Sequence, residues 1–304
     1  MSDGGEGFLD AWSGTLHEIT LPDPWGTPHR VPYRLRPLRD GGVAAFVESA
    51  TVIGYRPNHP RSAAIALEGS SAPLGMLLAH LAANGARRIT CGVGGTATSD
   101  GGIGCFDAAG DLGDVELVAA VDVLLPYRGA LDFAPQKGID ASDLDEIARR
   151  LDVAAHHFAT VAHLVVDEVA GAGSGGGVGG ALIALGASVE SGFSVVAREH
   201  SLDEALAHAA VVVTGEGRLD ASSFQGKVVG SILDATPATT PVVIVCGSAD
   251  RRALEVVRNL SRPIVVADCT ESFGASAAYG RTGACVSALI VRALAELETG
   301  AATG

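Results

Sequence analysis

Three loops hold most of the side chains that could do chemistry, and each follows an apolar run typical of a buried strand. The first loop reads GGTATSDGGIG and starts at Gly94. Bare glycines let backbone N–H groups approach a phosphate, the hydroxyls of Thr96 and Thr98 can donate, and Asp100 can bind Mg²⁺ or accept a proton. A tight turn that caps a helix is the alternative interpretation.

The second loop reads EGRLDASSFQGK and follows the apolar run AVVVTG. In this loop Glu216 and Asp220 flank Arg218, and Lys227 stands at the start of the next predicted helix. Two carboxylates at the tip of a buried strand suit Mg²⁺ binding or a general base, and a neighbouring cation keeps them ionised. The alternative is a solvated ion pair that caps the helix.

The third loop, GAGSGGGVGG, contains the pattern G-x-G-x-x-G from Gly171 to Gly176. A predicted strand over 163–169 precedes it, a predicted helix follows it, and Glu199 ends the next strand-like run, so a dinucleotide-binding fold can be argued. A single match to this pattern is weak evidence. Close helix packing or a flexible hinge explains the surplus of glycines equally well.

Lysine usage singles out two positions. Lysine and arginine together number 21, but only Lys137 and Lys227 are lysines, and each lies beside a glycine. Lysine is a compact point charge that reaches between phosphate oxygens, where the planar guanidinium of arginine is not equivalent. We therefore expect at least one of the two lysines to contact a phosphate.

The elements that must position these loops indicate an α/β protein. A hairpin is predicted over 17–38, a helix over 72–85 and a strand over 87–93, after which helices and strands alternate. Continuous apolar runs, of the kind buried on both faces of a parallel sheet, follow at 163–169, 210–215, 241–247 and 263–269. They predict a doubly wound parallel layer in the C-terminal half, with ligands bound beyond the carboxyl ends of its strands.

Composition limits the partners and the compartment. A chain of 304 residues that is 47% hydrophobic, 5% aromatic and contains 40 glycines fits about two α/β domains. The formal charge of −14 disfavours nucleic-acid and anionic-membrane partners. Five widely spaced cysteines fit reduced thiols, and no uncharged apolar run approaches the roughly 18 residues of a membrane helix. We therefore expect a soluble, cytoplasmic protein with a small-molecule substrate, with an oligomer left open.

Five blocks taken together resemble one family. The chain carries, in the order and approximate spacing of the bacterial glycerate kinases, the blocks SDGGEG, GVGGTATSDGGIG, PQKG, GAGSGGGVGG and VVVTGEGRLD…GK. The resemblance implies a two-domain glycerate-kinase-like α/β fold, with a Rossmann-like parallel sheet layer plus an inserted α/β domain that contains a β-hairpin. It also implies ATP, Mg²⁺ and phosphoryl transfer to D-glycerate, giving a phosphoglycerate.

Two other functions stay open. One is a catalytically impaired relative that binds a metabolite or a partner chain through the same loops. The other, weaker alternative is a dinucleotide-dependent oxidoreductase built on the third loop.

The blocks supply candidate roles and domain boundaries. The candidate catalytic residues are Asp100, Lys137, Arg218 and Asp220. The candidate cofactor-binding residues are Gly94, Gly95, Thr96, Thr98, Gly215 and Lys227. The candidate substrate-binding residues are Asp3, Gly4, Gly5 and Glu6, and the candidate metal ligands are Glu216, Asp220 and Asp100. We expect residues 1–15 and 195–304 to form a discontinuous Rossmann-like domain around an inserted domain, 16–194.

Departures from the family pattern bear on activity. Relatives carry a strand, a DSFKG-type loop, a helix and a second strand ahead of SDGGEG. We therefore expect this chain to start inside a motif and, if Met1 is its true start, to be less stable than its relatives. Within the matched blocks, Met76, Leu125 and Ser222 replace a glutamate, an asparagine and a glutamine. An altered substrate or lost activity is therefore an open alternative.

Overall fold

The protein is described by a computed structural model that covers residues 4–57, 59, 61–224 and 227–301. It forms two compact units, Met1–Val196 and Ala197–Gly304. Both units contain helices and strands, and most neighbouring strands pair in parallel. The predicted α/β class is confirmed.

The first unit is built on a six-stranded sheet in the order β1-β2-β3-β4-β5-β6. Its strands are β1 Thr15–Pro22, β2 Pro28–Pro37, β3 Val43–Glu48, β4 Ala86–Val93, β5 Glu116–Val121 and β6 Ser188–Ser191. The first three strands are antiparallel neighbours, whereas β3 to β6 pair in parallel. The predicted hairpin is β1–β2, and its turn is closed by the Asp23 side chain, which accepts hydrogen bonds from the backbone N–H groups of Trp25 and Thr27.

The central strands of this sheet are buried on both faces. The helices are α1 Ser49–Ile53, α2 Ala63–Glu68, α3 Ala72–Ala83, α4 Ile103–Ala109, α5 Leu144–Val161, α6 Val178–Ala184 and α7 Gly192–Glu199. Short 3₁₀ helices cover Phe8–Ala11, Tyr127–Lys137, Ala141–Asp143 and Ser174–Gly176. In β5, Leu117, Ala119 and Val121 belong to one core cluster, while Val118 and Ala120 belong to another. Alternate residues of a strand point to opposite faces, so this strand lies between two packed layers.

The N-terminal residues pack within the first unit. The Trp12 ring stacks on Phe46 of β3 with centroids 4.1 Å apart, and Phe8 meets Trp12 edge-on. The buried Glu48 carboxylate accepts a hydrogen bond from the Leu9 N–H at 2.9 Å. The aromatic side chains of this segment are buried against β3, and the expected grouping of residues 1–15 with 195–304 stays a prediction.

The segment 163–169 is not a strand, so that prediction is wrong. The place beside β5 is taken by β6, which pairs with it in parallel. The segment and the residues just after it bond instead to the loop that follows β5. Tyr127 N–H donates to Asp167 O at 3.1 Å, and Gly171 N–H donates to Leu125 O at 2.9 Å. The third glycine loop therefore lacks the strand that a dinucleotide-binding fingerprint requires.

The second unit is a parallel layer. Its strands β7 Val212–Leu219, β8 Val242–Ala249 and β9 Ile264–Asp268 lie in that order and pair in parallel, which confirms the three predicted strands there. Its helices are α8 Leu202–Ala207, α9 Val228–Ala235, α10 Arg251–Arg258, α11 Cys269–Phe273, α12 Ala275–Gly280 and α13 Thr282–Ala301. Val243 and Val245 of β8 pack in one cluster with Leu289 and Ala293 of α13.

One stretch of the described chain, Ala63–Ala83, is long and apolar enough to cross a membrane by length and composition. In the structure it is two helices, α2 and α3, separated by residues 69–71. Leu74, Leu77, Leu78 and Leu81 of α3 lie in the main core of the first unit. Burial in a protein core accounts for the apolar character of this stretch.

Tyr127 provides a test of how the first loop is held. Its hydroxyl is buried and donates to the backbone oxygen of Gly101 at 2.6 Å. We expect Tyr127→Phe to lower the free energy of unfolding by about 1–2 kcal/mol, because a buried carbonyl loses its partner. Urea titration measures the change. Tyr279→Phe is the control, since Tyr279 is 85% exposed; an equal effect in both variants would contradict the account.

Candidate active site

A cavity of about 140 Å³ lies at the carboxyl ends of β4 and β5 in the first unit. Five separate stretches of chain line it: Tyr55 and Arg61; Gly94, Gly95 and Thr96; Asp122 and Val123; Phe133, Gln136 and Lys137; Gly175 and Gly176. Open parallel sheets bind ligands beyond the carboxyl ends of their strands, and this cavity has that position. The structure thus brings together four predicted site residues, namely Gly94, Gly95, Thr96 and Lys137.

Lys137 is a buried lysine in the cavity wall, with 7% of its surface exposed. It ends the 3₁₀ helix Tyr127–Lys137, and its Nζ donates to the Thr98 backbone oxygen and, at 3.3 Å, to Thr96 Oγ1. Burial lowers the pKa of Lys137 from 10.5 to about 8, against the opposing effect of the Asp100 charge. The side chain is therefore still mainly an ammonium at neutral pH, and it has few fixed partners.

The third glycine loop makes room for this lysine. Gly176 has a φ of +74°, and a Cβ there would collide with Lys137 Nζ and lie 2.6 Å from Thr98 O. Thr96 Oγ1 donates to Gly175 O at 2.8 Å, which joins the first loop to the third. Close packing, one of the two explanations considered for the surplus glycines, is what the geometry favours.

Asp100 lies behind the cavity wall. Its Oδ2 accepts from the Ser71 N–H at 2.7 Å and from the Ser71 hydroxyl at 2.8 Å, and its Oδ1 accepts from the Gly102 N–H at 3.0 Å. Both oxygens are thus engaged in holding the loop. The carboxylate still acts at a distance on Lys137, since its charge raises the pKa of that lysine. A direct role in catalysis or metal binding stays a prediction.

Two further hydroxyls bear on the first loop. Ser49, the buried first residue of α1, donates to Gly94 O at 2.9 Å and accepts from the Gly94 N–H at 3.1 Å. The Thr98 hydroxyl is fully buried and has no hydrogen-bond partner among the described residues. Thr98 therefore contributes its backbone oxygen, which holds Lys137, and its predicted cofactor contact stays a prediction.

The N-terminal loop lies against the same glycines. A Cβ on Gly94 would come within 2.7 Å of Gly5 Cα, and a Cβ on Gly4 would come within 2.5 Å of Ala120 O. Glycine is thus needed on both sides of this contact. Glu6 is exposed, and Asp3 lies outside the described residues. The substrate role predicted for Asp3, Gly4, Gly5 and Glu6 stays a prediction.

Tyr55, Arg61 and Asp122 were missed by the sequence analysis. The Arg61 guanidinium lies 4.9 Å from the Tyr55 ring centroid, and its Nη1 donates to Gln136 O at 3.4 Å. The Tyr55 hydroxyl donates to Lys137 O at 3.3 Å. Tyr55 and Arg61 thus support the backbone that carries Lys137. A tyrosine and arginines interleaved with prolines in the loop after α1 are the sequence signal that could have pointed to these residues.

In the second unit, a hydrogen-bonded chain joins Asp220 to Lys227. The Ser222 hydroxyl donates to Asp220 Oδ1 at 2.6 Å and accepts from Lys227 Nζ at 2.8 Å. The pKa of Asp220 is lowered, chiefly by the Ser222 hydroxyl, with smaller contributions from Lys227 and Arg218. Ser222 is thus the bridge between a predicted carboxylate and a predicted phosphate-binding lysine.

The second unit contains some, but not all, of the side chains that would bind Mg²⁺ and the phosphates of a nucleotide. Among the described residues, no three histidine, cysteine or acidic side chains gather as a metal-binding group. Mg²⁺, however, commonly takes one or two carboxylates and completes its shell with water and substrate phosphates. Asp220 suits that role because it is ionised and accessible, and the exposed Arg218 lies two residues away. Gly215 and Glu216 lie on β7 and line a separate cavity in the same unit.

The lowered pKa of Lys137 predicts a pH dependence of stability. Between about pH 8 and pH 10.5 the Lys137 side chain of the unfolded chain holds a proton that the folded chain has released, so the contribution of Lys137 to stability rises with pH in this window. The full effect is on the order of 3 kcal/mol. Urea titrations of the wild type and of Lys137→Met across the window measure it. The methionine variant should lack this rise; parallel curves for the two proteins would refute the assignment.

A glycine-lined cavity with a buried lysine at the edge of a parallel sheet is typical of proteins that bind small anionic or phosphorylated molecules. The model of the glycerate kinase family matches residues 1–113 and 108–275. This chain belongs to the glycerate kinase family. The family resemblance drawn from the five blocks is confirmed.

Individual relatives support the same conclusion. The chain is 30% identical over 291 residues to glycerate 2-kinase of Escherichia coli K12, covering 82% of this chain and 75% of that protein. It is 37% identical over 269 residues to an uncharacterized protein of Mycobacterium bovis, covering 84% and 71%. A crystal structure of a candidate glycerate kinase 2 from Salmonella typhimurium LT2 matches with a TM-score of 0.70 and 26% identity, over 99% of this chain and 88% of that one.

Proposed function

We propose that this chain transfers the γ-phosphoryl group of Mg-ATP to D-glycerate and forms a phosphoglycerate. The observation that carries the proposal is the buried ammonium of Lys137 in the wall of a small cavity that three of the family's blocks build together. Family membership supports glycerate phosphorylation in general. The choice of donor, metal ion and product is our inference.

The volume of the cavity supports assigning it to the acceptor. An engineered cavity of about 150 Å³ holds one benzene molecule. The cavity beside Lys137 measures about 140 Å³, so its volume suits a three-carbon hydroxy acid. Gly94, Gly95 and Thr96, predicted from the sequence to bind the cofactor, would then contact the acceptor.

The charges of the cavity wall suit this acceptor. Arg61 and Lys137 place two cations at the cavity, which favours an anionic ligand. Among the described residues that line the cavity, Asp122 is the one with a carboxylate side chain. It is therefore a candidate to accept the proton of the glycerate hydroxyl that attacks the phosphoryl group. Lys137 would stabilise charge that develops on the transferring phosphoryl group.

Asp220, Arg218 and Lys227 would hold the magnesium-bound phosphates of ATP. Asp220 supplies an ionised carboxylate, and Lys227 supplies a point charge at the start of α9. Bound Mg²⁺ would bridge and neutralise phosphate oxygens. We place this reaction in the cytoplasm, without a nucleic-acid or membrane partner, and we leave an oligomer open.

Coupled ADP release across a panel of hydroxy acids tests the proposal. The purified chain is assayed with Mg-ATP and D-glycerate, L-glycerate, glycolate or no acceptor. We expect release that depends on D-glycerate and on Mg²⁺. Thermal stabilisation by Mg-ATP without ADP release from any acceptor would favour the impaired relative, and stabilisation by NAD(P) but not by ATP would favour the oxidoreductase.

A further inference from the structure

The two cations of the cavity in the first unit offer different hydrogen bonds to a ligand. A lysine ammonium has three N–H donors. Lys137 Nζ already donates to Thr98 O and to Thr96 Oγ1, which leaves one N–H for a ligand. A single N–H suits one oxygen, such as that of a hydroxyl or a phosphoryl group, and does not match the two oxygens of a carboxylate.

Arg61 has the donors that a carboxylate needs. Its guanidinium carries five N–H groups in a planar fork, which matches a carboxylate with two parallel hydrogen bonds. Among its described neighbours, one long bond uses this fork, from Nη1 to Gln136 O at 3.4 Å. The Tyr55 ring, 4.9 Å away, contacts the face of the guanidinium and leaves its N–H edges available. The side chain is exposed and lines the cavity, so a ligand can reach it.

The backbone of Arg61 is held against the segment that carries Lys137. Gly138 has a φ of +76°, and a Cβ there would come within 2.9 Å of the backbone carbon and oxygen of Arg61. The Tyr55 hydroxyl donates to Lys137 O at 3.3 Å, which adds a second link between the two segments. The guanidinium and the ammonium are therefore placed on one cavity by direct contacts, so a ligand that binds both has a defined orientation.

We infer that Arg61 is the residue that selects acids as acceptors, because it binds the acceptor carboxylate through two parallel N–H···O hydrogen bonds. The remaining N–H of Lys137 then meets the hydroxyl end of the same molecule. The inference rests on the proposed function and adds to it which end of the acceptor each cation binds. A neutral polyol of the same size gives the fork of Arg61 no anion, so the site discriminates against it.

D-glyceramide provides the matched ligand for the test, since it replaces the carboxylate of D-glycerate by a neutral amide of nearly the same shape. Calorimetry measures the Kd of both compounds for the wild type and for Arg61→Gln. We expect the variant to raise the Kd for D-glycerate by about 10- to 100-fold, and to leave the Kd for D-glyceramide within about twofold. A merely structural role of Arg61 would weaken the binding of both compounds.

Two further variants complete the comparison. Arg149→Gln removes an exposed cation of the same unit that pairs with Glu146, so it controls for the change in net charge and should bind both compounds as the wild type does. Arg61→Lys keeps the charge but lacks the fork, so it should recover only part of the affinity for D-glycerate. An unchanged Kd for D-glycerate in Arg61→Gln would overturn the inference, as would a wild type that binds D-glyceramide equally well.

Steady-state kinetics separate this inference from the proposed reaction. The carboxylate contact is the same before and during phosphoryl transfer, so Arg61→Gln should raise KM for D-glycerate while kcat stays within about threefold. A wild type whose D-glycerate binding depends on Arg61 but that releases no ADP refutes the proposed function alone. A chain that phosphorylates D-glycerate with the same KM in Arg61→Gln as in the wild type refutes the role of Arg61 alone.

Discussion

Lys137→Met is expected to lower kcat/KM for D-glycerate by about 10²- to 10³-fold while the protein stays folded. The methionine side chain has nearly the length of lysine but no charge, so it removes the ammonium from the cavity wall and keeps the packing. Removal of the buried charge relieves its desolvation cost, which offsets the loss of the two hydrogen bonds that Lys137 Nζ donates. Steady-state ADP release and circular dichroism measure the two effects.

Arg149→Met is the control for this substitution. Arg149 is an exposed cation of the same unit and pairs with Glu146 on α5. Its loss should leave kcat/KM within about twofold of the wild type. If Lys137→Met also retains wild-type activity, the cavity beside Lys137 is not the acceptor site.

Asp100→Asn is expected to impair both stability and turnover. In the wild type the N–H and the hydroxyl of Ser71 both donate to Asp100 Oδ2. The asparagine amide keeps one acceptor oxygen, but its NH₂ group would face these donors and could not accept from them. We expect a loss of about 2–3 kcal/mol in the free energy of unfolding. Turnover should fall about tenfold or more at neutral pH, since Lys137 loses the charge that helps to keep it protonated.

Asp111→Asn is a matched control. Asp111 makes the same short-range contact, from its Oδ1 to the N–H two residues on, at 2.8 Å and on the exposed surface. An asparagine supports that turn equally well, so the change should be near neutral. Equal losses in the two variants would show that the buried contacts of Asp100 with Ser71 contribute little.

The sequence was sufficient to predict the loops and most of the elements that carry them. Apolar runs predicted β7, β8 and β9, and the rule that ligands bind at strand ends pointed to the loop of Gly94 and Thr96. Lysine scarcity singled out Lys137, which the structure places in a cavity wall. The strand predictions are confirmed because strand burial depends on local pattern, whereas the roles of Gly94, Thr96 and Lys137 stay predictions.

The remaining features depend on contacts that local pattern does not encode. The apolar pair Val165 and Val166 made residues 163–169 look like a strand. The strand beside β5 is instead β6, although its residues Ser188–Ser191 form no apolar run. Tyr55, Arg61 and Asp122 become neighbours because β3, β4 and β5 are adjacent in the sheet. The burial of Trp12 on Phe46 likewise follows from tertiary packing.

Phosphorus NMR of a reaction with Mg-ATP and D-glycerate tests the central claim most directly, because it observes the transferred group itself. We expect the γ-phosphate signal of ATP to decline while ADP and a phosphomonoester of glycerate appear in equal amounts. The coupling pattern of the new signal would identify the hydroxyl that is phosphorylated. ATP that stays intact, or that yields inorganic phosphate without a phosphomonoester, would contradict phosphoryl transfer to glycerate by this chain.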